Sequence, residues 1–140
     1  MSKKQAIEVL SQVPLFAGLS KRELEHIYKE SEEETFSEGT TIVREGDSTG
    51  RFYVILDGTV KVQSDGRSKG KMGPGDFFGE MSLLDGRPRS ATIVAASYVR
   101  ARSIAPWNFL SILEENWPIT KKVLAALSER VRRGESSAKL

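Results

Sequence analysis

The chain has 140 residues, of which 39% are hydrophobic and 29% charged, a balance that fits one domain with a real core and leaves little room for a second. Its 21 basic and 19 acidic residues leave a net charge of +2, which argues against a dedicated nucleic-acid binder. There is no cysteine, so disulfides and thiolate metal ligands are excluded and a cytoplasmic setting is expected, and no apolar run approaches the roughly 18 residues that suggest a membrane span.

Residues 2–13 carry an amphipathic pattern that predicts a short helix, with Ile7 and Leu10 on its apolar face and Pro14 as its breaker. Leu15 and Phe16 are expected to anchor the start of the roll. Ser20 followed by Glu23 forms a capping box and predicts a second helix over 21–29. The acidic cluster Glu30, Glu32, Glu33 and Glu34 reads as a solvated face or turn.

The period then changes. Short β-like stretches fall at 35–36 and 41–43, and stronger strands at 52–56 and 59–63, with Asp57-Gly58 as a tight-turn signal between them. Asp65-Gly66 and Gly73-Pro74-Gly75-Asp76 mark further turns. Strands at 92–95 and 98–103 complete the run. Many short strands without long helical crossovers predict a sandwich, barrel or roll rather than a doubly wound sheet.

From Pro106 the helical period returns. A helix is predicted over 108–113 and a final one over 119–133, with Ile119, Val123, Leu127 and Val131 spaced four apart along one stripe. Gly134 is the expected stop, and 135–140 the expected flexible tail. Arg130, Arg132 and Arg133 complement the helix end electrostatically, a partner-binding patch being the alternative. Trp107 and Trp117, at helix starts, read as packing anchors.

The segment with chemistry in it is Phe77-Phe78-Gly79-Glu80-Met81-Ser82-Leu83-Leu84-Asp85-Gly86-Arg87-Pro88-Arg89-Ser90-Ala91-Thr92. Gly79 lets backbone approach a ligand closely. Residues 80–84 could form one helical turn whose leading N–H groups receive an anion. Arg89 offers a planar, permanently charged fork for phosphate oxygens, and Ser90 and the Ala91 amide add donors. A carboxylate at Glu80 would repel a bare phosphate but can accept a hydrogen bond from a sugar hydroxyl. Together these residues point to a phosphate joined to a sugar. Phe77 and Phe78 read as core, Arg87 as solvated with phosphate contact the alternative, and Pro88 as a stiffener before Arg89.

This ordered set, Phe78, Gly79, Glu80, Ser82, Leu83, Leu84, Arg89, Ser90 and Ala91, resembles the phosphate-binding cassette of cyclic-nucleotide-binding domains, the sensor family of catabolite activators and of cyclic-AMP-dependent protein kinase regulatory subunits. Gly39, Ile42, Glu45-Gly46-Asp47, Phe52-Tyr53-Val54-Ile55, Gly58-Thr59-Val60-Lys61-Val62 and Gly75-Asp76 extend the likeness upstream, and it spans about 16–133. The resemblance implies a mainly β fold with flanking helices, a jelly-roll-like double-stranded β-helix, or β-roll. It implies one domain over 1–134, with N-terminal helices in 2–30, the roll in 35–104 and C-terminal helices in 106–133. Gly79, Glu80, Met81, Ser82, Arg89, Ser90 and Ala91 are the implied ligand set, with Glu80 on the ribose 2′-hydroxyl and Arg89 on the phosphate.

Ser90 leans the implied ligand towards cyclic AMP, with cyclic GMP still open. The base would be capped from the final helix by Val123, Leu124, Leu127 or Ser128, and ligand would favour a state with that helix folded over the pocket. No cofactor is implied. With seven residues after Arg133, the output is expected in an effector protein or in a removed output domain, and a monomer or weak homodimer is expected. The alternative is a roll that has lost its ligand and serves as a protein-interaction module, with Arg89 paired to Glu80. Catalysis is not expected, since the lone His26 offers no histidine cluster for a metal and no paired acid–base arrangement is visible.

Overall fold

The computed structural model describes residues 2–13, 16–48, 50–79 and 86–132, without the side chains of residues 126 and 130. Two helices, α1 (Lys3–Gln12) and α2 (Lys21–Glu30), precede eight strands. Both helices open on capping boxes: the Ser2 hydroxyl accepts from the Gln5 amide and the Ser20 hydroxyl from the Glu23 amide, while the Gln5 and Glu23 side chains accept from the two cap amides in return.

The strands are β1 (Ser31–Phe36), β2 (Thr41–Val43), β3 (Phe52–Asp57), β4 (Val60–Ser64), β5 (Arg67–Met72), β6 (Phe77–Phe78), β7 (Thr92–Ala95) and β8 (Val99–Ile104). They form two four-stranded antiparallel sheets in the orders β1-β8-β3-β6 and β2-β7-β4-β5. Helices α3 (Pro106–Glu115) and α4 (Trp117–Arg132) follow. This is the predicted β-roll flanked by helices.

The apolar run in β3 explains how the layers stack. Five consecutive residues, Phe52 to Leu56, are buried, as in a strand covered on both faces. Phe52, Val54 and Leu56 enter a core shared with Leu10, Phe16, Leu24, Ile27, Phe109, Ile112, Ile119 and Val123 of the helical layer. Tyr53 and Ile55 point the other way, into the inter-sheet core with Val60, Val62, Phe78, Ile93 and Val99. Phe77 and Phe78 divide between the same two cores by the two-residue period of a strand. Phe52 stacks on Phe109 at a centroid distance of 4.6 Å, tying α3 to the sheet.

Several expectations are corrected. The roll begins at Ser31, not residue 35, because Glu32, Glu33 and Glu34 of the acidic cluster lie in β1, which pairs with β8 across Ser31↔Ile104 to Phe36↔Val99, while Glu30 ends α2. Glu33 and Glu34 face Arg100 and Arg51 at 3.9 and 3.8 Å; Glu32 and Glu33 are exposed on the strand, which keeps the solvated face and overturns the turn. Strands β5 and β6 are additional. The Asp57-Gly58 turn joins strands of opposite sheets, whereas Asp65 (φ 54°) and Gly66 (φ 72°) close the β4–β5 hairpin. The stripe on α4 is buried only in its first half: Ile119 and Val123 are core, Leu127 is partly buried, and Val131 is 78% exposed. Trp107 and Trp117 are surface residues at 70% and 63% exposure rather than anchors. Pro14, Leu15, Gly134 and the tail 135–140 lie outside the described residues.

Candidate ligand-binding site

The loop between β6 and β7 leaves one sheet and enters the other. Gly79 directly follows β6 and Ala91 directly precedes β7, so the two ends of the predicted cassette meet where the sheets face each other. Val43, Phe78, Gly79, Arg89, Ser90, Ala91 and Ile93 line a concavity there. Its floor is apolar, with Tyr53 stacked on Phe78 at 5.0 Å, and its polar groups come from residues 89–91.

Arg89 is 5% exposed although it sits on a loop. Its backbone is clamped on both sides: its amide donates to the Asp47 carbonyl at 2.7 Å, and its carbonyl accepts from the Gly46 amide at 2.8 Å. Its guanidinium Nη2 donates to the Arg51 carbonyl at 2.8 Å. The Ser90 carbonyl accepts from the Ser64 hydroxyl at 3.2 Å, and the Glu45 amide donates to the Thr92 hydroxyl at 2.9 Å. Glu45 Oε1 in turn accepts from the Asp65 amide at 3.0 Å. The arm of the loop that carries Arg89 is therefore sewn to the 45–47 turn and to the β4–β5 hairpin. These bonds join residues far apart in sequence, so they hold Arg89 only when both sheets are in place.

Gly79 has a steric reason to be glycine. Its φ is 102°, and a Cβ there would lie 2.5 Å from the Arg51 carbonyl oxygen and 2.6 Å from Arg89 Nη1. The charge around the floor is mixed. Burial pushes the Tyr53 hydroxyl above its ordinary value of 10.0; nearby Glu34 pushes in the same direction, while Arg51 and Arg89 oppose it.

Of the predicted ligand set, the structure brings Gly79, Arg89, Ser90 and Ala91 together around this concavity. Glu80, Met81 and Ser82 lie outside the described residues. The capping candidates sit elsewhere: Val123 is buried in the helical core, Leu127 packs against it, Leu124 is 54% exposed, and Ser128 is exposed. None of the four is among the residues that line the concavity. Phe77 and Phe78 are buried as expected, and Arg87 and Pro88 are exposed. Of the supporting partners, the Arg51 carbonyl and Ser64 carry no motif of their own, and Thr92 ends the quoted segment without an assigned role. Glu45-Gly46-Asp47 had a signal in the family likeness, though not as a clamp on Arg89. Among the described residues no cluster of three His, Cys, Asp or Glu could hold a metal, and no helix is long and apolar enough to cross a membrane.

An antiparallel β-roll with an Arg-bearing loop running from one sheet to the other is the architecture the comparisons with known proteins recognise. The chain belongs to the cyclic nucleotide-binding domain family, whose model matches residues 33–116. It is 31% identical over 131 residues to the CRP-like cAMP-activated global transcriptional regulator of Mycobacterium tuberculosis, an alignment covering 90% of this chain and 58% of that protein. The crystal structure of Thermus thermophilus catabolite activator protein superposes with a TM-score of 0.80 at 28% identity, covering 86% of this chain and 59% of that one. The regulatory domain of Toxoplasma gondii PKA, solved with cAMP, superposes with a TM-score of 0.71 at 31% identity, covering 79% of this chain and 44% of that one. The chain thus spans about 58% of the length of this mycobacterial relative. These relatives are, by name, a transcriptional regulator, an activator protein and a regulatory domain.

Proposed function

We propose that the chain is a single cyclic-nucleotide sensor domain that prefers cyclic AMP to cyclic GMP and signals by rearrangement of α4. The observation that carries this reading is the buried Arg89, whose backbone is clamped from both sides at the edge of a concavity between the sheets. A permanently charged group is enclosed in this way only where acceptors or anions compensate its lost hydration. The cyclic phosphate is the anion this family takes. Arg89 pairs with the exocyclic phosphate oxygens, Ser90 adds its hydroxyl, and the Gly79 and Ala91 backbones close in. Glu80 takes the ribose 2′-hydroxyl, with Met81 and Ser82 in the same loop. The preference for cyclic AMP rests on Ser90 and is supported by two relatives, the cAMP-activated mycobacterial regulator and the Toxoplasma domain solved with cAMP.

Capping of the base by Leu124, Leu127 or Ser128 requires α4 to leave its present seat, because Val123 and Leu127 now pack on the helical core. That displacement is the signal, and its receiver is a separate effector protein or an output domain. Calorimetric titration with cyclic AMP and cyclic GMP tests the reading. The wild-type chain binds cyclic AMP more tightly, and Arg89→Ala weakens binding by about 100-fold or more, as when one partner of a buried charge pair is truncated. Wild-type protein that binds neither nucleotide, or Arg89→Ala that binds normally, overturns it. Hydrogen exchange in residues 117–132 changes on binding if α4 moves.

A further inference from the structure

We infer that Gly50 is a positioning residue for the Arg89 guanidinium, the bare backbone on which that side chain lies. Residue 50 is outside the predicted cassette and 39 residues before Arg89 in the sequence. Yet a Cβ built on it would come within 3.0 Å of both Arg89 Cζ and Nε, and closer still to Nη2. Real Cβ atoms do not approach other atoms so closely, so the guanidinium occupies the volume that any side chain at position 50 would need. The adjoining Arg51 carbonyl accepts from Nη2 at 2.8 Å. Gly50 supplies the space for the fork and Arg51 the acceptor that orients it.

The two glycines beside this guanidinium differ in what would yield. At Gly79 an added Cβ meets the Arg51 carbonyl oxygen, which is backbone of the sheet edge, as well as Nη1. At Gly50 the nearest atoms all belong to the Arg89 side chain. The Arg89 backbone is clamped by Gly46 and Asp47, so an alanine at 50 displaces the guanidinium and leaves the loop in place. Gly50 has a φ of 145°, which L residues rarely adopt. Alanine there therefore also carries local strain, and the test must separate the two effects.

A double-mutant cycle on the ligand-free protein does so, because backbone strain at position 50 is common to both backgrounds and cancels. Gly50→Ala lowers the melting temperature more in the chain with Arg89 than in Arg89→Ala, and it shifts the Arg89 Nε–Hε resonance. Equal losses in the two backgrounds with an unmoved resonance overturn the inference. The consequence for binding rests on the cyclic-nucleotide reading. Gly50→Ala weakens cyclic AMP binding about tenfold or more, the scale of one lost hydrogen bond to a charged group, and an unchanged affinity removes the functional role. If the wild-type chain binds no cyclic nucleotide, that reading fails by itself, and the ligand-free cycle still decides the role of Gly50.

Discussion

The arm carrying Arg89 and the helix α4 solve opposite problems. The arm, residues 86–91, has no regular secondary structure, yet the Arg89 backbone is bonded on both sides and Ser90 is tied to Ser64. Helix α4 makes its hydrogen bonds locally over sixteen residues, and its attachment to the rest of the domain weakens along its length, from buried Ile119 and Val123 to partly buried Leu127. Ile119 and Val123 are buried, whereas Leu124 and Val131 are open to solvent. Among the described residues, five of the six exposed large apolar side chains lie on α3 and α4: Trp107, Leu110, Trp117, Leu124 and Val131. Regularity and attachment are therefore separate properties. The part proposed to meet the ligand is fixed by long-range bonds, and the part proposed to move owes little of its form to the roll.

The sharpest way to break this contrast lies within α4 itself. Ile119 and Val131 stand on one helical stripe, three steps of four apart. Ile119→Ala empties a core site and costs about 2–5 kcal/mol, whereas Val131→Ala stays within about 0.5 kcal/mol, as for a surface change. Urea unfolding of the two variants measures both. Similar losses would mean that the outer half of α4 is packed after all, and the proposed freedom of the helix would fall.

On the arm, Ser64→Ala removes the hydroxyl that donates to the Ser90 carbonyl. The expected loss is about 0.5–1.5 kcal/mol in urea unfolding, accompanied by weaker cyclic AMP binding in calorimetry because Ser90 shifts with its carbonyl. A stability loss with unchanged affinity would show that this tie supports the sheet and not the site.

Legibility in the sequence followed the range of the determining contacts. Strands β2 and β7 match their expected limits, since short β-branched runs bounded by turn residues carry their own signal. Strand β5 has the sequence Arg-Ser-Lys-Gly-Lys-Met and no apolar alternation; it forms because it pairs along β4 at the sheet edge. Strand β6 is two residues long and merges into the cassette. The tryptophans were misread because helical position says nothing of which face the tertiary fold covers. The cassette was legible as an ordered motif. Gly50 was not, because its reason for being glycine is a side chain 39 residues away.

The smallest expected effect concerns where the inner half of α4 is held. Lys122 Nζ lies 3.4 Å from where a Cβ on Gly18 would stand, and its charge reaches Glu23, the residue that closes the capping box of α2. The Glu23 carboxyl is held below its ordinary range, first by the hydrogen bond from the Ser20 backbone, then by the Ser20 side chain, with Lys122 contributing least. A folded pKa below the unfolded one means that the native state releases its proton more readily. The stabilisation is complete above the unfolded value and is lost as pH falls through the folded one. Melting temperature should thus decline on the acid side of the ordinary carboxylate range, and Glu23→Gln should flatten part of that decline. Glutamine keeps an acceptor for the cap amide, so the variant removes the charge and spares the box. If Lys122→Met flattens the same acid limb as Glu23→Gln, the attachment of α4 includes this charge pair. If it leaves the limb unchanged, the pKa shift belongs to the cap alone and α4 is held on this side by Ile119 and Val123.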